Sequence, residues 1–255
     1  METNFVAERR SGNDILRLRG YLDTVPSADT LVVMCHGLMM TCDINPIRGL
    51  SSLIVEGGYS VLRFDFAGTG VSDGEMIDMS PRTEIEDLAA VLSRCRTMGY
   101  RRVVALGHSL GGVVVSMTSA QYPELVDAQV LLAPAGIVEK DSRRGKVAYA
   151  EFDPDNVPEK VIVWDQPLGS RYMLDCQSLE VFETASLYKG RTCIIQGTED
   201  ALVPTDCARE FADRIPGSEL HLIDGGDHHF IRTKKETSRI VLDFLCGLSN
   251  RANLD

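Results

Sequence analysis

The sequence predicts an α/β fold with a mostly parallel sheet covered by helices on both faces, and three observations carry that expectation. Short, almost wholly apolar runs recur between segments of helical periodicity, as expected of strands buried on both sides. A glycine-flanked serine follows one of those runs directly. The chain of 255 residues is 44% hydrophobic and 25% charged, an ordinary globular composition that excludes collagen, coiled coil and wholesale disorder. At roughly 150 residues per domain its length fits one large domain or two small ones.

The elements follow in order. Residues 4–10 and 14–25 read as two strands around the Ser-Gly-Asn turn at 11–13, an opening antiparallel hairpin. The buried strands are expected at Leu31–Cys35, Val61–Asp65, Val103–Leu106, Ala128–Leu132, Thr192–Ile195 and Leu220–Ile223. Ser80 and Pro81 supply an N-cap and a first-turn proline, with Glu84, Glu86 and Asp87 near the positive end of the helix. Ile85, Leu88, Leu92 and Cys95 then mark its buried stripe. A last helix at about 235–247 carries Ile240, Val241, Phe244 and Leu245.

One segment breaks the alternation. Residues 136–188 separate two expected strands and are too long for a simple connection. Six of the chain's 16 aromatic residues fall there, among them Tyr149, Trp164 and Tyr172, although the segment is only about a fifth of the chain. The expected organisation is therefore a core of residues 1–135 and 189–255 with an inserted cap at 136–188.

Charge and cysteine content narrow the function classes. A net charge of −11 opposes nucleic-acid binding, which depends on Lys and Arg neutralising phosphates. No apolar run reaches the ~18 residues of a membrane helix, and the first residues lack a secretory pattern. Seven scattered cysteines with no C-x-x-C pair give neither a disulfide frame nor a zinc site. The expectation is a cytoplasmic protein, although a mature secreted form would look similar, with no nucleic-acid or membrane partner.

Gly107-His108-Ser109-Leu110-Gly111 matches G-x-S-x-G between the strand at 103–106 and an apolar helix, the setting of a nucleophile elbow. A serine hydroxyl needs a base. Of five histidines, His228 and His229 follow the last strand, where a base should sit at the carboxyl edge of a parallel sheet. His228 is favoured as the base and His229 is the alternative. Asp200, after the strand at 192–195, is the acid that would orient it, with Glu199 as its rival. The order Ser109, Asp200, His228 is that of α/β-hydrolases. Oxyanion donors are expected from the backbone N–H groups of Leu110 and of Leu38, in the turn His36-Gly37-Leu38-Met39. The glycines of Asp65–Gly74 have neither dinucleotide nor phosphate-loop spacing and read as a structural loop bordering the site. No cofactor or metal is implied.

Cys35-His36-Gly37, the Asp65–Ser72 loop and Gly107–Gly112 resemble the α/β-hydrolase superfamily along nearly the whole chain. Leu132–Ala135, Phe152–Pro158 and Gly225–Phe230 resemble the bacterial cinnamoyl (feruloyl) esterases within it. The resemblance implies hydrolysis of small-molecule hydroxycinnamate esters, such as those of ferulate, caffeate and p-coumarate. It places Asp141 and Tyr172 against the ring hydroxyls of the acid, and Trp164 joins them among the expected substrate contacts. A departure is Leu110, where those enzymes often carry Gln. Family likeness and the prevalence of two-fold assemblies make a homodimer compatible with the sequence. Aliphatic carboxylesterase or monoacylglycerol-lipase activity, acyl transfer on the same triad, and a hydrolase-fold receptor are the competing readings.

Overall fold

The structure, a computed structural model, describes residues 1–251; the last residues of the expected core, 252–255, lie outside it. β1 (Glu2–Ser11) and β2 (Asp14–Asp23) form the opening hairpin, with Glu2 opposite Asp23 and Ser11 opposite Asp14. The alternating part follows as β3 (Thr30–Cys35), α1 (Ile47–Glu56), β4 (Ser60–Phe64), α2 (Pro81–Arg96), β5 (Arg102–His108), α3 (Leu110–Gln121) and β6 (Ala128–Leu132). The segment 136–188 holds α4 (Val138–Arg143), the hairpin β7 (Lys146–Val147) and β8 (Ala150–Glu151), and a second hairpin of β9 (Lys160–Val163) and β10 (Gln166–Gly169). It ends with α5 (Ser170–Gln177) and α6 (Val181–Ala185). β11 (Arg191–Gly197), α7 (Thr205–Arg214), β12 (Glu219–Ile223) and α8 (Lys234–Arg251) complete the order.

Eight strands form one sheet in the order β1-β2-β4-β3-β5-β6-β11-β12. All neighbours from β4 onward pair in parallel, while β2 runs antiparallel to both β1 and β4. The fold is an α/β-hydrolase fold: a mostly parallel sheet in this strand order, with β2 antiparallel, flanked by helices on both faces. Successive residues of each buried strand face opposite layers. Leu31, Val33, Val103 and Ala105 pack with residues of α2, α3 and α7 on one side. Val32, Met34, Val104 and Leu106 pack with Ile47, Leu50 and Ile54 of α1 and with Ile240, Val241, Phe244 and Leu245 of α8 on the other. Among the described residues no helix is long and apolar enough to cross a membrane.

Two boundaries differ from the sequence reading in ways that matter. β5 runs on to His108 rather than ending at Leu106, and α3 begins at Leu110, so Ser109 alone lies between strand and helix. β4 ends at Phe64, which leaves Asp65 beyond the strand. Its carboxylate turns into the following loop and accepts the N–H groups of Cys42 (2.7 Å) and Val71 (3.0 Å). A Cβ on Gly70 would stand 1.9 Å from that carboxylate, so only glycine lets the loop wrap around it.

α2 starts as its sequence predicts and is buried where charge alone would place it in water. The Ser80 hydroxyl accepts the Thr83 N–H at 3.3 Å and the Thr83 hydroxyl accepts the Ser80 N–H at 2.9 Å, a reciprocal capping box. Asp87 is buried, accepts the Ala67 N–H at 2.9 Å and pairs with Arg9. Burial pushes its carboxyl up to about 6, against the pull of the Arg9 guanidinium. Glu84 is buried as well: among the described residues neither carboxyl oxygen has a hydrogen-bond partner, and burial, with the Asp87 charge added, holds its pKa well above the ordinary 4.5.

Glu84 therefore keeps its proton in the folded chain at pH values where the unfolded chain has lost it. Folding takes up that proton, so this group's contribution to stability falls as pH rises above about 4.5 toward the folded pKa. Glu84→Gln, which keeps the shape without the titration, should gain stability relative to the parent chain as pH is raised from about 5 to about 8. Urea denaturation of both proteins at the two pH values measures this. An offset equal at both pH values would count against the assignment.

Candidate active site

The sharp turn after β5 is made possible by two glycines. A Cβ on Gly107 would approach the Gly111 carbonyl oxygen to 2.1 Å, and one on Gly111 would approach the His36 carbonyl oxygen to 2.4 Å. Between them Ser109 adopts φ 56° and ψ −119°, a conformation non-glycine residues rarely accept. The constraint lifts the serine out of both strand and helix at the carboxyl edge of the sheet. Its N–H donates to the Leu132 carbonyl at 2.9 Å, tying the turn to β6.

Asp200 and His228 come from the loops after β11 and β12. The His228 Nδ1–H donates to Asp200 Oδ2 at 2.8 Å, which leaves Nε2 as the unprotonated ring nitrogen. Asp200 is a hub. Its Oδ1 accepts the N–H groups of Leu202 (2.9 Å) and Val203 (2.8 Å), and its Oδ2 also accepts the Gln196 amide at 2.8 Å. Burial works to raise its pKa, but the imidazole and the two backbone amides outweigh burial and hold the carboxyl below its ordinary range. It thus remains an anion to well below neutral pH. Glu199, the rival acid, instead faces Arg232 at 3.8 Å on the surface.

A cavity of about 410 Å³ joins the sequence-derived residues. Ser109, His228, Leu38 and Leu110 line it from the core, and Asp141, Trp164 and Tyr172 line it from the segment 136–188. Asp200 stands behind His228 and does not reach the cavity. His229 lines it as well, half-buried, with burial and the neighbouring His228 lowering its pKa. Its backbone N–H donates to Asp227 Oδ1 at 2.9 Å, and no carboxylate orients its ring. Among the described residues the N–H groups of Leu38 and Leu110 find no carbonyl acceptor, so both are free to donate.

The predicted contacts differ in setting. Tyr172 is fully buried, with its hydroxyl against the Cys176 thiol and within reach of the Asp141 charge. Trp164 is 49% exposed at the tip of the β9–β10 hairpin, and its ring stands edge-on to Tyr149 at 6.3 Å. Asp141 lies on α4 and takes part in no ion pair among the described residues.

Three residues support the site in ways that no motif states. Gln196, four residues before Asp200, clamps the acid and also donates to the Val203 carbonyl at 3.2 Å. His108, beside the nucleophile, is fully buried and donates from Nε2 to the His228 carbonyl at 2.8 Å. Burial, then the charge His228 would carry, drive its pKa well below 6.5, so it stays neutral. His36 donates from Nδ1 to the Gly37 carbonyl (2.9 Å) and accepts the Phe66 N–H at Nε2 (3.2 Å), bracing the Leu38 turn. Burial lowers its pKa too. Both histidines stand inside motifs in the sequence, Cys35-His36-Gly37 and Gly107–Gly111, but nothing local says that their rings will be buried and brace the site.

The described residues contain no group of three or more His, Cys, Asp or Glu side chains that could hold a metal. The chemistry on offer is nucleophilic: a strained serine, an imidazole with an orienting carboxylate, and two free amides.

Comparison with known proteins agrees with that inventory. The mouse serine hydrolase BPHL is 27% identical over 209 residues, covering 73% of this chain and 69% of its own. A putative carbamate hydrolase, RutD, of Pseudomonas savastanoi is 26% identical over 219 residues, 73% of this chain and 83% of its own. Among solved structures, Est1E from Butyrivibrio proteoclasticus with ferulic acid bound superposes with a TM-score of 0.88. That match covers 94% of this chain and 98% of the other at 24% identity, a likeness of fold. The family model described as serine aminopeptidase S33 matches residues 26–166, more than half of the sequence, and the chain belongs to that family of α/β serine hydrolases.

Proposed function

We propose that the protein is a carboxylic-ester hydrolase that cleaves esters of hydroxycinnamic acids through an acyl-enzyme on Ser109. The observation that carries this reading is the single cavity shared by Ser109 and His228 with Asp141, Tyr172 and Trp164. In it an aromatic acid finds apolar walls and a carboxylate that can accept a phenolic hydrogen bond. Segment 136–188 serves as the cap of that cavity. The matched Est1E structure holds ferulic acid, which supports the choice of acyl group.

On this reading each step of the reaction has a residue to perform it. His228 Nε2 takes the Ser109 proton as Oγ attacks the ester carbonyl, and Asp200 stabilises the imidazolium that forms. The carbonyl oxygen becomes an oxyanion held by the N–H groups of Leu38 and Leu110, each such donor being worth roughly 3–4 kcal/mol of barrier. His228 returns the proton to the leaving alcohol. Water then attacks the acyl-enzyme by the same route, releasing the acid and restoring Ser109.

The first measurement is kcat/KM for methyl ferulate beside p-nitrophenyl butyrate. Preference for ferulate, abolished in Ser109→Ala with the fold intact, is the expected result. Butyrate turnover without ferulate turnover would leave an esterase of aliphatic acyl chains, and substantial activity in Ser109→Ala would remove the acyl-enzyme altogether. Asp200→Asn should lower kcat by roughly 10⁴-fold, because the imidazole loses the partner that fixes its tautomer.

Asp141 offers a separate check on the acyl pocket. Asp141→Asn should cost about tenfold in kcat/KM on methyl ferulate, the scale of a lost charge-assisted hydrogen bond, and leave butyrate turnover unchanged. Equal loss on both esters would mean that Asp141 supports the cap rather than the substrate.

A further inference from the structure

Only two side chains among those lining the catalytic cavity belong to Asp, Glu, Lys or Arg, and they are of opposite sign: Asp141 and Lys146. They lie five positions apart. Asp141 is on α4 and Lys146 opens β7, with Gly145 turning the chain between them at φ +77°. That turn is fixed, since a Cβ on Gly145 would stand 2.1 Å from the Phe152 carbonyl oxygen. A second cavity adjoins the first and is lined by Asp141, Arg144, Gly145, Lys146, Glu151 and Phe152. Asp141 and Lys146 are the two residues common to both cavities, so they stand together where the cavities meet.

Lys146 is not committed to either neighbouring carboxylate. Glu151 is its direct cross-strand partner and Asp141 shares both cavities with it, yet among the described residues Lys146 forms no ion pair. By contrast, Arg143 on the preceding helix is spent on Glu139 at 2.7 Å. The acid and base at this end of the cavity are therefore both available to a ligand, one as acceptor only and the other as donor only.

We propose that Lys146 is a specificity-determining residue that selects acids carrying two adjacent ring oxygens. This inference rests on the hydroxycinnamate reading above. Asp141 takes the phenolic O–H, and the Lys146 ammonium donates to the hydroxyl or methoxy oxygen next to it. Without the cation, that second oxygen would turn its lone pairs toward a carboxylate. A ring with one hydroxyl satisfies Asp141 and leaves the exposed ammonium to water, so the doubly oxygenated ring gains one charge-assisted hydrogen bond over it. The substrate class is thus esters of caffeate and ferulate type, ahead of p-coumarate type.

The test compares kcat and KM for methyl caffeate, methyl ferulate and methyl p-coumarate in the parent enzyme, Lys146→Met and Lys146→Arg, with p-nitrophenyl butyrate as reference. Methionine keeps the apolar stem and removes the charge. The expected result is a parent preference for the two doubly oxygenated acids that Lys146→Met lowers roughly tenfold, with p-coumarate and butyrate turnover unchanged and Lys146→Arg restoring most of the loss. Equal loss on all four esters, or no preference in the parent, overturns the role of Lys146 while leaving the hydroxycinnamate reading in place. Turnover of butyrate with none of the three aromatic esters overturns that reading and this inference with it.

Discussion

At the carboxyl edge of the sheet, the backbone touches itself in two places at distances that no side chain could occupy. A Cβ on Gly107 would fall 2.1 Å from the Gly111 carbonyl oxygen, and one on Gly197 would fall 2.1 Å from the Gly226 carbonyl oxygen. The first contact makes the turn that presents Ser109. The second brings the Asp200 loop against the His228 loop, and the Glu199 N–H seals it by donating to the Gly226 carbonyl at 2.9 Å. The 2.8 Å hydrogen bond between His228 and Asp200 is a consequence of that approach. Parallel strands end in register here, so the loops that follow them converge whatever their sequence; glycine decides how closely.

Much of this was legible in the sequence because each feature leaves a local signature. The β5 and β11 strands announce themselves by apolar runs, the elbow by glycines at 107 and 111, and α2 by Ser80 and Pro81. The site's supports leave no such mark. Gln196 is a polar residue on an apolar strand, and nothing local says that its amide will meet Asp200 four positions on. Glu84 reads as a favourable acid in the first turn of a helix, which is where a solvated carboxylate belongs. Its burial is set by what α2 packs against, chiefly α3 and β1 with α5 beyond them, and that is a property of the tertiary arrangement alone.

The segment 136–188 was the least legible part for a different reason. Its strands are two to four residues long and its helices five to eight, too short for periodicity to register. What composition did carry was the excess of aromatic rings, and Trp164 and Tyr172 do face the cavity with Tyr149. The last stretch behaves as part of the core: Val181 and Ala185 of α6 are buried in the same apolar layer as α3 and α7, and the Tyr188 hydroxyl donates to the Val126 carbonyl at 3.1 Å. The chain re-enters the core before β11 begins.

Three imidazoles crowd the loop that carries His228, and their surroundings set two of them apart from the third. His108 and His228 stand 4.8 Å apart between ring centroids, and His229 is 5.1 Å from His228. Two cations at such separations would repel. His108 is denied a proton by complete burial, and its one donor is spent on the His228 carbonyl. His229 is shifted in the same direction by partial burial and by His228 itself. His228 alone among the three has a carboxylate at hydrogen-bond distance, one that stays ionised because four donors converge on it. The neighbours therefore supply position without competing for the proton, and in the proposed acyl-transfer mechanism the developing charge has a single place to reside.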